Sequence, residues 1–333
     1  MMLRTMSWLL TLFLVSAEAV PKYQCLESST KYRCVIEYVT YHPGQRISFP
    51  SGYQHFRIGT ANASDSLESN ITTLDEALYA AMDHPAIIEM EFVKMWRLVL
   101  PSDLAFGNFA NNGIHSLDID PASSYRITYL DLHSNLLSNV ANISALDKLE
   151  TLRLERNYIQ EIDASTVSAL AKLKRLNLKG NHLRSFPWHA LPCTLVHLDI
   201  SRNRLESVNL TNLRFPALEY INLAKNDIYE LNVTDILRAA PNLKEAYLFN
   251  HQIPTDDMGG IASALHERRI LFSEIDEEYC LPNEDYIDGR CVKRIVPRKP
   301  KYTWKTAVVA VCVLTGISVL GYLIYLAYLR VIR

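Results

Sequence analysis

The sequence of 333 residues has little net charge and few cysteines. Its 34 Lys plus Arg nearly balance 36 Asp plus Glu, which excludes a broadly basic nucleic-acid-binding protein and an acidic disordered chain. Six cysteines are too few for a small disulfide-rich scaffold. H-E-x-x-H, G-x-S-x-G and phosphate-binding glycine motifs are also missing, and no histidine has metal-ligand spacing with a cysteine. We therefore expect no enzymatic activity, no metal and no cofactor.

Two apolar runs lie at the ends of the sequence. In residues 1–19, Arg4 precedes a short apolar stretch and small residues follow at Ala17 and Ala19, a pattern typical of a cleaved secretory signal. Residues 307–329 carry no charge. As a helix rising about 1.5 Å per residue, that segment would reach about 35 Å, enough to cross a bilayer core of about 30 Å. We predict a transmembrane helix there.

The orientation of this span follows from two opposing signals. The basic segment 293–306 precedes the span, and the positive-inside rule alone would place that segment in the cytoplasm. A secretory signal favours the opposite orientation, and large domains are translocated largely regardless of charge. We therefore expect a single-pass plasma-membrane protein with its N-terminus outside and residues 330–333 in the cytoplasm. Any signalling would then need a partner.

A repeat of the form L-x-x-L-x-L-x-x-N occupies the middle of the sequence. It predicts short strands that stack in parallel, about 4.8 Å apart, in a solenoid of the α/β class. The asparagine amide can satisfy backbone groups in each turn, so these asparagines are interpreted as structural. The matching segments are 127–135, 149–157, 173–181, 195–203 and 218–226, with a sixth at 243–251 in which His251 replaces the asparagine.

The pattern is weaker upstream of residue 127. Residues 87–92 and 114–119 are predicted to be earlier strands. The step from Leu117 to Leu130 is 13 residues, which is short for a full repeat. A truncated repeat and a local irregularity are both compatible with this spacing.

On these repeats the chain resembles the leucine-rich-repeat family over about residues 87–272. It is also similar to the leucine-rich-repeat immune proteins of mosquitoes, through Cys25 and the run Cys34-Val-Ile-Glu, an irregular first repeat at 87–104, and short regular repeats. The resemblance implies a solenoid with its parallel sheet on the concave face. It also implies a short, membrane-anchored member of that group with a role in innate immunity.

The predicted organisation includes a cap at each end of the solenoid. Four cysteines allow three pairings, and local pairing of Cys25 with Cys34 and of Cys280 with Cys291 is favoured because the two ends are far apart. Cys193 is interpreted as a small buried core residue, with an intermolecular bridge as the alternative. The predicted segments are a signal peptide at 1–19, an N-terminal cap region at 20–86, leucine-rich repeats at 87–272, a C-terminal cap at 273–292, a basic stalk at 293–306, the transmembrane helix at 307–329 and a tail at 330–333.

The concave face is the predicted binding surface. Tyr220, Tyr247 and Phe249 are predicted to point outward from neighbouring strands, and exposed aromatic residues are common anchors of protein interfaces. Packing against the C-terminal cap is the alternative for these three. Asp131 with Arg153, and Glu155 with Lys179, are interpreted as exposed pairs of little energetic weight. Glycosylation sequons occur away from the predicted strands, at Asn62, Asn70, Asn142, Asn209 and Asn232.

Together these features predict a cell-surface leucine-rich-repeat protein that binds a protein ligand or co-receptor through its concave face, in innate immune recognition. A structural receptor for cell adhesion or matrix organisation is the alternative. Neither hypothesis involves nucleic acid or a small-molecule cofactor.

Overall fold

The computed structural model describes residues 20–26, 29–59, 69–249, 255–272, 284–287 and 290–293. The chain divides into two units, residues 1–274 and 275–333. The predicted signal peptide, Asn62, Cys280 and the apolar segment 307–329 lie outside the described residues. Within the described ranges, no helix is both long and apolar enough to span a bilayer.

Seventeen short strands and four α-helices are defined in these ranges. The helices are α1 (Glu76–Ala81), α2 (Ala164–Ala169), α3 (Val233–Ala239) and α4 (Thr255–Glu267), with 3-10 turns at Ala141–Ala145 and Trp188–Ala190. The strands are β1 (Arg33–Ile36), β2 (Thr40–Tyr41), β3 (His55–Ile58), β4 (Asn70–Ile71), β5 (Thr73–Leu74), β6 (Ile87–Met90), β7 (Arg97–Val99), β8 (Phe106–Asn108), β9 (Ser116–Asp118), β10 (Tyr129–Asp131), β11 (Thr151–Arg153), β12 (Arg175–Asn177), β13 (His197–Asp199), β14 (Tyr220–Asn222), β15 (Glu245–Tyr247), β16 (Glu284–Ile287) and β17 (Arg290–Lys293).

The main sheet of the first unit has ten parallel strands in the order β1-β3-β6-β8-β10-β11-β12-β13-β14-β15. Its register aligns the repeat leucines, with Leu130 opposite Leu152, Leu152 opposite Leu176 and Leu176 opposite Leu198. All four side chains are buried. The predicted parallel stacking of the repeats is therefore confirmed. The sheet also extends through β1 and β3, upstream of residue 87.

The short step before Leu130 has a structural explanation. Residues 116–118 form β9, which belongs to a separate three-stranded sheet with β5 and β7. The strand that precedes β10 in the main sheet is β8, whose Gly107 lies opposite Leu130. A Cβ on Gly107 would come within 2.6 Å of the Phe109 ring, so this ring occupies the space that a leucine fills in other repeats. The repeat at 104–112 is therefore complete, although glycine replaces its strand leucine.

The repeat asparagines form a ladder of side-chain hydrogen bonds along the turns. Asn157 is typical: its Oδ1 accepts from the backbone N–H of Leu137 at 3.0 Å, and its Nδ2 donates to the carbonyls of Leu132 and Leu154 at 2.9 and 3.1 Å. Because Leu132 follows the preceding strand, each amide ties one repeat to the one before it. The predicted structural role is confirmed for Asn135, Asn157, Asn181, Asn203 and Asn226, and Asn112 makes equivalent bonds in the repeat around β8.

The ends of the sheet are closed in different ways. At the N-terminal end, Cys25 and Cys34 form the predicted disulfide, and Cys34 lies fully buried in β1. At the other end, Leu271 forms a parallel bridge with Glu245, next to the buried Leu265 of α4. In the second unit, β16 and β17 pair as an antiparallel hairpin.

The position predicted for Cys193 is wrong. Its side chain is exposed, and the thiol makes no disulfide with a described residue. Cys193 lies in the turn that leads into β13, two residues before the buried Leu195. Its Sγ is 3.8 Å from the backbone carbonyl of Arg214, so the turn directs it away from the core.

Candidate partner-binding face

The outward side chains of the main sheet form one continuous surface, which we call the sheet face. Strand register arranges these side chains in columns, because residues of successive parallel strands lie directly beside one another. The edge column contains Phe106, Tyr129, Thr151, Arg175, His197, Tyr220 and Glu245. The neighbouring column contains Asn108, Asp131, Arg153, Asn177, Asp199, Asn222 and Tyr247.

Three ring side chains cluster at the C-terminal end of the sheet face. The rings of His197 and Tyr220 stack with centroids 3.9 Å apart and planes inclined by 10°, and Tyr247 lies 5.6 Å from Tyr220. Burial and the nearby charge of Arg175 lower the pKa of His197 to about 4. His197 is therefore neutral at physiological pH, and the cluster presents uncharged, half-buried rings.

The outward position predicted for Phe249 is wrong. This side chain is only 3% exposed, and its ring centroid is 5.7 Å from that of Phe272. Strand β15 ends at Tyr247, so the alternation of inward and outward side chains stops before Phe249. Phe249 belongs to the C-terminal core, whereas Tyr220 and Tyr247 remain on the sheet face.

A second aromatic pair lies on β8 and β10. The rings of Phe106 and Tyr129 stack almost in parallel, with centroids 4.2 Å apart and planes inclined by 5°. This pair was not predicted, because the glycine in β8 hid the strand that carries Phe106. The sequence signal that could have revealed it is Asn112, which stands five residues after Gly107, as Asn135 does after Leu130.

The charged side chains between these two aromatic groups form a partly buried network. Asp131 is 1% exposed, and its carboxylate binds the Arg153 guanidinium at 2.9 Å and His133 Nδ1 at 2.8 Å. Arg153 also contacts Oε1 of Glu155 at 3.0 Å, and Asn177 Nδ2 donates to the same oxygen at 2.7 Å. The interpretation of Asp131 and Arg153 as an exposed pair is therefore wrong, since the packed sheet face removes Asp131 from solvent.

The two carboxylates of this network experience different electrostatic environments. Burial by itself raises the pKa of Asp131, but hydrogen bonds from His133 and the charges of His133 and Arg153 lower it overall. Burial raises the pKa of Glu155, and its own backbone N–H and Arg153 offset only part of that effect. Oε2 of Glu155 is buried and has no hydrogen-bond partner among the residues that the structure describes. Arg153 is thus the cation that the two carboxylates share, while His133 contributes most to lowering the pKa of Asp131.

A smaller charged cluster lies at the N-terminal end of the sheet face. Glu89 on β6 lies 2.5 Å from Nε2 of His55, 3.4 Å from the guanidinium of Arg33 and 3.9 Å from that of Arg57. The carboxylate is surrounded by basic groups on the two preceding strands. Within the part of the chain that the structure describes, no group of three His, Cys, Asp or Glu side chains could hold a metal ion.

The described sequons lie off the sheet face. Asn142, Asn209 and Asn232 are exposed and stand outside the ten strands of the main sheet, whereas Asn70 is half-buried in β4. Asn232 caps α3, with its Oδ1 accepting from the backbone N–H of Asp235 at 3.2 Å. Glycans on these residues would leave the ring clusters of the sheet face uncovered.

Comparison with known proteins gives matches to the repeats and to the fold. The family model described as leucine rich repeat matches residues 147–194. No curated protein matches the sequence. Among solved structures, an internalin from Listeria monocytogenes str. 4b F2365 aligns with a TM-score of 0.49 and 16% identity, over 66% of this chain and 61% of that chain. A leucine-rich-repeat protein from Leptospira interrogans aligns with a TM-score of 0.43 and 18% identity, over 66% and 71% of the two chains.

A third similar structure is a complex named LRIM1/APL1C. It aligns with a TM-score of 0.49 and 19% identity, over 70% of this chain and 47% of that chain. This chain thus spans about half the length of that neighbour. Leucine-rich-repeat solenoids are typically interaction scaffolds with extended binding surfaces. The leucine-rich-repeat family is therefore supported for this chain by the matched repeats at 147–194 and by strands on both sides of them that continue the same parallel sheet.

Proposed function

We propose that this protein binds a protein partner through the sheet face, in innate immune recognition at the cell surface. The observation that carries the proposal is the pair of ring clusters on this face, Phe106 with Tyr129 and His197 with Tyr220 and Tyr247. Aromatic side chains with a polar edge are frequent energetic centres of protein interfaces. The immune role is supported by the sequence resemblance to mosquito immune proteins, and the Cys25–Cys34 disulfide favours an oxidising, secretory environment.

The first test removes two rings from the C-terminal cluster. Tyr220→Ala combined with Tyr247→Ala is expected to weaken partner binding by about 30-fold or more, because truncation at an interface hot spot commonly costs about 2 kcal/mol or more. The melting temperature should change little, since both rings lie outside the leucine core. The measurement is the affinity of the full-length variant for the first partner identified by proximity labelling on intact cells, together with a melting curve.

Two controls make this test specific. Tyr158 and Tyr229 are 51% and 58% exposed but lie outside the strands of the main sheet, so their replacement by alanine should preserve affinity. Phe249→Ala should instead lower stability by about 3–5 kcal/mol, because it opens a cavity in the C-terminal core. A double tyrosine variant that folds and binds normally would place the partner elsewhere.

The proposal includes anchoring by the apolar segment 307–329, with the N-terminus outside. A chain that ends at residue 305 should be secreted into the medium, because it lacks this segment but keeps the predicted signal. Its apparent mass should fall on enzymatic deglycosylation. The measurement is an immunoblot of medium and carbonate-washed membranes, with the full-length chain as the control. Retention of the shortened chain in washed membranes would show that 307–329 is not the sole anchor.

A further inference from the structure

The edge column of the sheet face carries stacked rings on either side of a gap. Phe106 and Tyr129 stack on adjacent strands, and His197 and Tyr220 do the same three strands further on. Between them, β11 contributes Thr151 and β12 contributes Arg175. The two rings of each pair come from adjacent strands. Thr151, on the strand next to that of Tyr129, contributes no ring to the column.

Tyr129 presents an open ring face toward this gap. One face of its ring packs on Phe106, and no second aromatic ring among the described residues stacks on Tyr129. The Tyr129 hydroxyl lies 3.3 Å from Oδ2 of Asp131, within the partly buried network, and also hydrogen-bonds with Arg153. These contacts and the stacking on Phe106 hold the ring in place. An aromatic group that stacked on its open face would therefore meet a preorganised surface.

Arg175 borders the gap on the opposite side. Its side chain is exposed and makes no hydrogen bond or ion pair with any residue that the structure describes. Arg153, on the preceding strand, instead contacts both Asp131 and Glu155. Arg175 is thus a cation of the sheet face that the fold leaves available to a partner.

The gap has the dimensions of an aromatic ring. Parallel strands lie about 4.8 Å apart, so the positions of Tyr129 and Arg175 on either side of Thr151 are separated by about 10 Å. A planar ring needs about 3.5–4.0 Å to the group on each of its faces, or about 7–8 Å in total. The small Thr151 side chain does not fill this space.

We propose that Thr151 marks a slot that receives an aromatic side chain of the protein partner, held between the ring of Tyr129 and the guanidinium of Arg175. This inference rests on the proposed function, and it specifies which type of partner side chain binds at the sheet face. An aromatic side chain fits better than an aliphatic one because it stacks on Tyr129 and interacts with the cation through its other face.

The test fills the slot from within the protein. The full-length chain is displayed on cells and exposed to two libraries of short random peptides, which are identical except that one omits Phe, Tyr and Trp. The complete library should be enriched on the parent protein, and Thr151→Phe should reduce this enrichment at least tenfold. Thr151→Val is the matched control, because it keeps the volume of the threonine side chain and should bind as the parent does.

Arg175→Gln is a second variant that does not depend on packing a new ring. It should weaken binding of the selected peptides by about twofold to fivefold, the range expected for loss of a surface cation–π contact. The slot would be overturned if the library without aromatic residues were enriched as strongly as the complete library, or if neither library were enriched. It would also be overturned if the complete library were enriched equally on Thr151→Phe and on the parent. Preferential capture of a single-stranded oligonucleotide pool would overturn it too.

The outcomes also separate the slot from the broader function. If the partner is lost by the double tyrosine variant but binds Thr151→Phe normally, the sheet face is the binding surface and the slot is wrong. If the partner binds both variants normally, both proposals are wrong.

Discussion

Replacing Arg153 with leucine is expected to lower the free energy of unfolding by about 3 kcal/mol, the lower end of the usual cost of removing one partner from a buried ion pair, because the Arg153 side chain is itself 40% exposed. Arg153 contacts Asp131 and Glu155, which are 1% and 7% exposed. Without it, Asp131 would still contact His133, and Glu155 would still accept a hydrogen bond from the amide of Asn177. The measurement is urea-induced unfolding of the variant and the parent at neutral pH.

The loss of stability in this variant should depend on pH. Without the guanidinium, the folded-state pKa of Glu155, which burial already raises, should rise further, and that of Asp131 should be lowered less, because its hydrogen bonds from His133 remain. A group with a raised folded-state pKa destabilises the fold at high pH, and this penalty disappears as pH falls below the unfolded pKa. The gap in stability between variant and parent should therefore narrow toward pH 4.

Arg175→Leu is the matched control for Arg153→Leu. It makes the same chemical change one strand away, at an exposed side chain without an ion pair to a described residue. Its stability should stay within about 0.5 kcal/mol of the parent, as for most surface substitutions. Equal stability of the two variants would mean that the network around Arg153 contributes nothing.

A similarly large effect is expected for Asn157→Ala. The change leaves the backbone N–H of Leu137 and the carbonyls of Leu132 and Leu154 without their side-chain partner. Each unsatisfied buried polar group costs about 1–3 kcal/mol, so the total loss should be about 3 kcal/mol or more. The measurement is chemical denaturation, supported by hydrogen exchange at the amide of Leu137, whose protection should fall.

Asn139→Ala provides the comparison for this second variant. Asn139 is exposed, and its Oδ1 accepts one hydrogen bond, from the backbone N–H of Ala141 at 2.8 Å. Water can replace that contact, so the loss should be about 1 kcal/mol or less. If Asn157→Ala were no more destabilising than Asn139→Ala, the asparagine ladder would not be a principal source of stability.

Much of the fold could be predicted because its physical signals are local and repeated. A leucine inside each strand and an asparagine in each turn recur in phase, and both requirements come from burying apolar surface and satisfying buried backbone groups. The strand at Phe106–Asn108 is not recognisable from the repeat pattern, because Gly107 replaces the leucine. Phe109, two residues later, supplies the missing side-chain volume. Such compensation between positions is a property of packing, which a residue pattern does not encode.

The sheet face was harder to predict because its chemistry depends on side-chain reach. Spacing placed Glu155 opposite Lys179, yet Arg153 is long enough to contact Asp131 and Glu155 together. The direction of a side chain also depends on where its strand ends. Strand β15 ends at Tyr247, and Phe249, two residues later, lies in the core. Tyr220 and Tyr247 are correctly placed because they lie within strands, where alternation fixes the direction of each side chain.

Because the register of the main sheet is constant, changes in repeat length and changes in the side chains of the sheet face can occur independently. Successive repeat asparagines are 22 to 24 residues apart, and the segments between strands vary from a short α-helix to a 3-10 turn, yet the strands remain in step. Insertions and deletions can therefore accumulate between the strands without displacing the columns of the sheet face. Recognition can evolve one column position at a time, while the length of each repeat drifts independently.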